Sequence, residues 1–187
     1  MRSAILMLAP VMLSASLSAQ GVFSNKTQSI VEKVIQDYPN HFYNIKGELI
    51  GQFSQTSRYK STLEVPGAAS STITLIAASG TQGSGWTCAV LQTSSFEEAS
   101  ARFSEIFGQL NNSIVTATGQ KTFILSGQFE SPLPDKKDNS VTLTLLPGVG
   151  EMKKLRVQVS LHQEGQEWTL SIGVSDDPME MLQLASN

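Results

Sequence analysis

The chain has 187 residues, of which 40% are hydrophobic and 16% are charged, a length that suits one domain with a sizeable core. The formal net charge is -3, and basic residues are not clustered as phosphate binding requires, which argues against a nucleic-acid partner. The single Cys and the two His exclude an internal disulfide and leave too few ligands for a zinc site, so the sequence predicts no metal and no cofactor.

The first 19 residues have the features of a secretory signal peptide. Arg2 supplies a positive charge, residues 4–13 are apolar, and the small residues 14–19 end in Ala19. The apolar stretch is too short to span a bilayer. Cleavage after Ala19, or one residue away, predicts an exported protein that is periplasmic or extracellular, with no membrane span in the mature chain.

Two segments have the apolar spacing of amphipathic helices. Residues 29–38 place their apolar side chains on one helical face, and Pro39 ends the helix. In the second segment, Ser94 and Ser95 are each followed three residues later by a glutamate, which is a capping box in either register. The second helix is predicted to end at residues 111–112, and its apolar stripe consists of Phe96, Ala99, Phe103, Ile106, Phe107 and Leu110.

Several other segments alternate between apolar and polar residues, as half-buried antiparallel strands do. The clearest are residues 155–161 and 168–174, and residues 163–166 between them predict a hairpin turn. The glycine-rich segment 80–85 is interpreted as a flexible turn between two strands. The remaining predicted strands are 59–65, 73–77, 86–90, 123–129 and 141–145.

Segments in the two halves of the chain also resemble one another in sequence. Gly-Trp-Thr at 85–87 has a counterpart in Glu-Trp-Thr at 167–169, and the sequence around Pro66 resembles that around Pro147. These echoes predict an internal duplication of a helix followed by about four strands, and they add a strand at 44–50.

The predicted fold class is α+β, a two-layer structure in which an antiparallel sheet of 7–8 strands carries two helices on one face. The signal peptide at 1–19 precedes a single domain at 20–177, with pseudo-repeats at about 27–93 and 94–176. The C-terminal tail is 178–187.

Aromatic side chains are concentrated after the first helix. They could cap the edge of the core, or they could form a ligand-binding surface that the polar segment 52–58 closes. The candidate binding residues are Tyr38, His41, Phe42, Tyr43 and Phe53.

A cysteine hydrolase is the enzymatic alternative. The order Gln82, Cys88, His162 superficially resembles the papain-type peptidases, in which a Gln supplies the oxyanion donor. In that family the cysteine opens a helix, whereas Cys88 lies in a strand pattern with Trp86 and Val90 on its face. A buried structural thiol is therefore the favoured interpretation, and no catalytic residue is assigned.

The signal peptide, the segment Asn-Ile-Lys-Gly-Glu at 44–48 and the strand opening Glu-Trp-Thr at 167–169 together resemble a family of small secreted bacterial proteins of uncharacterised function. The resemblance implies no activity and no site residues. We expect a non-catalytic secreted or periplasmic module that binds an envelope protein or a small ligand, with the Ser-, Thr- and Gln-rich face of the sheet available for contacts. The alternatives are a hydrolase using Cys88 and His162, or a carrier that holds a small apolar ligand between helices and sheet.

Overall fold

A computed structural model of the chain describes residues 25–78, 81–117 and 121–176. The predicted signal peptide at 1–19 and the predicted tail at 178–187 lie outside the described residues. Within the described ranges, no helix has the length and hydropathy that a membrane span requires.

The described residues form two α-helices and one antiparallel sheet of nine strands, which confirms the predicted α+β class. The strands run in the order β1-β2-β3-β4-β9-β8-β7-β6-β5, so β4 and β9 are neighbours at the centre. Their bounds are β1 Lys46–Phe53, β2 Thr56–Ser61, β3 Ser70–Ala78, β4 Thr81–Thr93, β5 Ser113–Ala117, β6 Lys121–Gly127, β7 Asp138–Leu146, β8 Arg156–Glu164 and β9 Glu167–Ser175.

Several details of the sheet differ from the sequence prediction. The sheet has nine strands rather than 7–8, and the predicted strand 59–65 ends at Ser61. The short strand β5, directly after the second helix, was not predicted. The glycine-rich segment predicted as a turn at 80–85 is wrong from Thr81 onward, because β4 begins there. The predicted strand 123–129 ends at Gly127, and Phe129 instead packs against Phe103 and Phe107, with ring centroids 6.2 and 5.1 Å apart.

Side-chain hydrogen bonds cap the N-termini of both helices. Helix α1 spans Lys26–Asp37, and the side chain of Asn25 accepts from the backbone N–H of Gln28 at 3.1 Å. Helix α2 spans Phe96–Leu110, and the Ser95 hydroxyl accepts from the N–H of Glu98 at 3.2 Å. The expected return bond goes through Thr93, whose hydroxyl accepts from the Ser95 N–H and donates to the Glu98 carboxylate.

Both helices pack on one face of the sheet, here called the inner face. Cys88, Ile172 and Val159 are paired directly across β4, β9 and β8, and all three are fully buried on this face. The helices pack mainly against β4, β5, β8 and β9.

Helix α1 also covers the outer edge of β5. The Glu32 carboxylate accepts from the backbone N–H of Thr116 at 2.9 Å, and the Gln36 amide donates to the Thr116 carbonyl at 2.8 Å. An edge strand otherwise presents these groups to solvent or to another chain. The two side chains therefore make the hydrogen bonds to Thr116 that the backbone of a tenth strand would otherwise make.

Candidate functional site

The segment between α1 and β1 reverses direction through two residues in an unusual backbone conformation. Tyr38–Asn40 and Tyr43–Ile45 are short 3-10 turns, and between them His41 and Phe42 have φ values of 52° and 61°. Non-glycine residues rarely adopt the left-handed region, and two in succession store strain that the surroundings must hold. The reversal buries Phe42 completely and leaves His41 exposed.

Asp37 holds this reversal in place from the end of α1. Its carboxylate is 6% exposed and accepts from the Asn40 side chain at 3.0 Å and from the backbone N–H of Asn44 at 3.0 Å. The Asn44 side chain donates to the same carboxylate at 2.5 Å. Three donors from both sides of the turn thus converge on one buried group, which balances the strain at His41 and Phe42.

Next to this segment, the inner face of the sheet contains a partly open cavity of about 200 Å³. It lies where the helices do not cover the strands, over a row in which Ser57, Leu75 and Ser84 are paired directly across β2, β3 and β4. No residue of either α-helix contributes to its wall. The cavity is lined by His41, Tyr43, Ser57, Tyr59, Leu75, Ile76, Ala77, Gly83 and Ser84.

The cavity wall combines an apolar surface with a few polar groups. The Nδ1 atom of His41 and the hydroxyl of Ser84 lie 3.3 Å apart in a hydrogen bond whose direction depends on the imidazole tautomer. Ser84 is 4% exposed. In the described part of the chain no hydrogen bond joins His41 to a carboxylate, as activation of a serine nucleophile would require. The pair is therefore suited to hydrogen bonding with a ligand rather than to nucleophilic attack.

A cation lies beside the cavity, at the start of β1. The Lys46 ammonium is 4.2 Å from the ring centroid of Tyr43 and 4.5 Å from that of Tyr59. Both rings line the cavity, so the aromatic contacts fix the position of the charge at the wall.

The five candidate residues from the sequence separate into three groups. His41 and Tyr43 line the cavity. Tyr38 and Phe42 are buried, with ring centroids 6.0 Å apart. Burial, with a further contribution from the charges of Asp176 and Glu151, raises the pKa of Tyr38 to about 12. Phe53, at the end of β1, is 71% exposed and is not part of the cavity wall.

The rest of the site comes from strands and was not singled out in the sequence; it includes Ser57, Leu75, Ser84 and Lys46. The first three meet only because of strand register, which the sequence pattern does not specify. The sequence contains a weak indication of two of them. Ser57 is two positions from Tyr59 and Ser84 is two positions from Trp86, so each places a polar side chain on a face predicted to be apolar.

Cys88 and His162 lie on opposite faces of the sheet. Cys88 is fully buried on the inner face, and burial raises the pKa of its thiol. His162 is exposed on β8, where its Nδ1 atom pairs with the Asp138 carboxylate at 2.5 Å. The structure therefore does not bring together the two groups of the hydrolase alternative, and a protonated, buried thiol is a poor nucleophile.

Cys88 should therefore resist thiol reagents in the folded protein. We expect no modification of the native chain on the timescale in which an exposed thiol reacts completely, and full modification in concentrated guanidinium chloride. The chain has one cysteine, so mass spectrometry after labelling reads this site alone. A Cys88→Ala/Ser94→Cys variant supplies the exposed control, because Ser94 lies at the surface before α2. Rapid labelling of native Cys88 would contradict its burial.

Within residues 25–78, 81–117 and 121–176, no group of three or more His, Cys, Asp or Glu side chains could hold a metal ion. No protein-family model, curated protein or solved structure matches the chain.

Proposed function

We propose that this protein is a non-catalytic binding module that is exported and that takes a small ligand in the cavity beside the segment 38–45. The observation that carries the proposal is the cavity itself, in which two tyrosines, a histidine and two serines surround an apolar floor. A mostly apolar wall with a few placed polar groups is the usual composition of a ligand site. The signal-peptide features of residues 1–19 support a periplasmic or extracellular location.

Three further observations support binding at this place. His41, one of the two strained residues, lines the cavity, and backbone strain is concentrated at functional sites. The buried carboxylate of Asp37 fixes their conformation before any ligand arrives, which lowers the ordering cost of binding. The cavity lies outside the helix–sheet interface, which favours a surface site over a carrier that encloses an apolar ligand.

The test is a screen of compact fragment molecules by thermal shift, followed by two-dimensional NMR of the full chain. We expect fragments that perturb the signals of Ser57, Tyr59 and Ser84. Ala77 lines the cavity, so Ala77→Leu should fill part of it and weaken binding at least tenfold. Ala101→Leu, the same change on the exposed side of α2, is the matched control and should bind normally.

Two outcomes would overturn the proposal. The first is a screen in which no fragment perturbs the cavity residues at any soluble concentration. The second is binding that Ala77→Leu and Ala101→Leu leave equally unchanged, because the ligand would then occupy another part of the molecule. Capture of an envelope protein that leaves the cavity signals unperturbed would favour a protein-binding module instead.

A further inference from the structure

The charge beside the cavity indicates the class of ligand, provided that the proposed binding function is correct. We infer that the cavity binds a small organic anion, a compact aromatic or aliphatic group that carries one carboxylate or phosphate. Three observations support this ligand class. They are the position of the Lys46 ammonium over two aromatic rings, its lack of a salt bridge among the described residues, and the polar and apolar groups of the cavity wall.

Lys46 is held in position before a ligand binds. Its ammonium lies over the faces of Tyr43 and Tyr59, at 4.2 and 4.5 Å from the ring centroids. Lysine normally has a long, flexible side chain whose immobilisation opposes binding. Here two aromatic contacts already restrict it, so an anion at the wall meets a charge that needs little further ordering.

Among the residues that the structure describes, no carboxylate forms a salt bridge with Lys46. In the described ranges the salt bridges are Arg102–Glu105 and His162–Asp138, and neither involves Lys46. The Asp37 carboxylate, which binds Asn44 two residues before Lys46, is occupied by Asn40 and Asn44. Aromatic faces attract a cation through their quadrupole but leave its net charge in place. An anionic ligand would supply the missing opposite charge.

The cavity wall has the remaining features of a site for a small anion. None of the described lining residues is an Asp or a Glu, so the described wall carries no negative charge that would repel an anion. The Ser57 hydroxyl is a hydrogen-bond donor at the wall, and the Ser84 hydroxyl is a second one in the tautomer in which His41 donates to it. Leu75 and Ile76 provide apolar surface for the body of the ligand. The volume of about 200 Å³ is below the range of about 300–1,000 Å³ typical for drug-sized ligands, which restricts the ligand to a compact molecule.

The experiment compares four probes that share one aromatic ring: benzoate, phenyl phosphate, neutral benzamide and cationic benzylamine. Each is titrated against the full chain by NMR at low and high salt. We expect benzoate or phenyl phosphate to bind at least tenfold more tightly than benzamide, benzylamine to bind most weakly, and added salt to reduce the difference. The ratio between benzoate and phenyl phosphate distinguishes a carboxylate ligand from a phosphate ligand.

Substitutions at Lys46 test whether this residue causes the preference for anionic probes. Lys46→Gln should reduce the affinity for the anion to that for benzamide, whereas Lys46→Arg should keep most of the preference because the guanidinium also stacks on aromatic faces. Lys60→Gln is the matched control, since Lys60 is exposed next to Tyr59 and its side chain lies on the other face of β2. Circular dichroism and the melting temperature verify that each variant folds.

Different results would overturn the anion inference and the proposed binding function. If benzamide binds in the cavity as tightly as benzoate, or if Lys46→Gln leaves the preference intact, the anion inference is overturned and the binding module stands. If no probe and no fragment perturbs the cavity residues, the proposed function fails as well.

Discussion

Replacing Asp37 with alanine is expected to lower the free energy of unfolding by about 2–4 kcal/mol and to release His41 from the cavity. The variant loses three hydrogen bonds to a buried carboxylate, and the backbone N–H of Asn44 is left without its acceptor. The strain of the left-handed residues His41 and Phe42 is then no longer balanced. Chemical denaturation measures the stability, and the NMR signals of the His41 ring report its position.

The control for this prediction is Asp135→Ala, which removes an exposed carboxylate from the loop before β7 and should change stability by less than about 0.5 kcal/mol. His162 serves as an internal reference, because its ring lies on the outer face and should keep its chemical shift in both variants. If Asp37→Ala unfolds at the same denaturant concentration as the unmodified chain, Asp37 does not hold the segment as described.

The second large effect is expected at two adjacent residues of β6. Leu125 is fully buried on the inner face, whereas Ile124 is 47% exposed on the outer face. Leu125→Ala should lower the free energy of unfolding by about 2–5 kcal/mol, because it removes buried methyl groups and leaves a cavity. Ile124→Ala should cost less than about 1 kcal/mol, since about half of that residue's surface already contacts water.

The pair is its own control, because both variants remove aliphatic atoms from the same strand. Denaturant midpoints measured at equal slope compare them directly. Similar losses at both positions would mean that something covers Ile124 in solution. Larger loss at Ile124 would mean that the register of β6 is shifted by one residue, which exchanges the two faces.

Periodicity and capping were sufficient to predict most of the fold. Alternation identified β8 and β9, and the register observed between them pairs Leu161 with Leu170 across a two-residue turn at Gly165. Strand β5 was missed for a physical reason. It has five residues, its Ile114 faces solvent, and its outer edge is satisfied by side chains of α1 rather than by another strand. Such a strand has little local signal.

The internal duplication stays a prediction. Helix α1 is followed by four strands and α2 by five, and the sheet order places β4 beside β9, the last strand of each half. Strand β5 comes directly after α2, and α1 is followed at that point by two 3-10 turns. The segment 38–45 therefore has no strand counterpart, and it contributes His41 and Tyr43 to the cavity wall.

The site was predictable only where it consists of consecutive residues. Aromatic composition after α1 drew attention to His41 and Tyr43, and both line the cavity. The same reasoning also selected Tyr38 and Phe42, which are buried in the core. A run of aromatic residues does not show which rings the left-handed turn directs inward. Ser57 and Ser84 required the register of three strands, a property of tertiary structure.

The cover that Glu32 and Gln36 place over Thr116 also limits how copies of this protein could join. Of the two terminal strands of the sheet, β1 pairs with β2 alone, whereas β5 is already occupied on its outward side. Two chains that met through β1 would form one doubled sheet with a covered β5 at each end. At each end, a further strand would have to displace Glu32 and Gln36 from Thr116 before it could pair with β5, which disfavours growth into open-ended fibres.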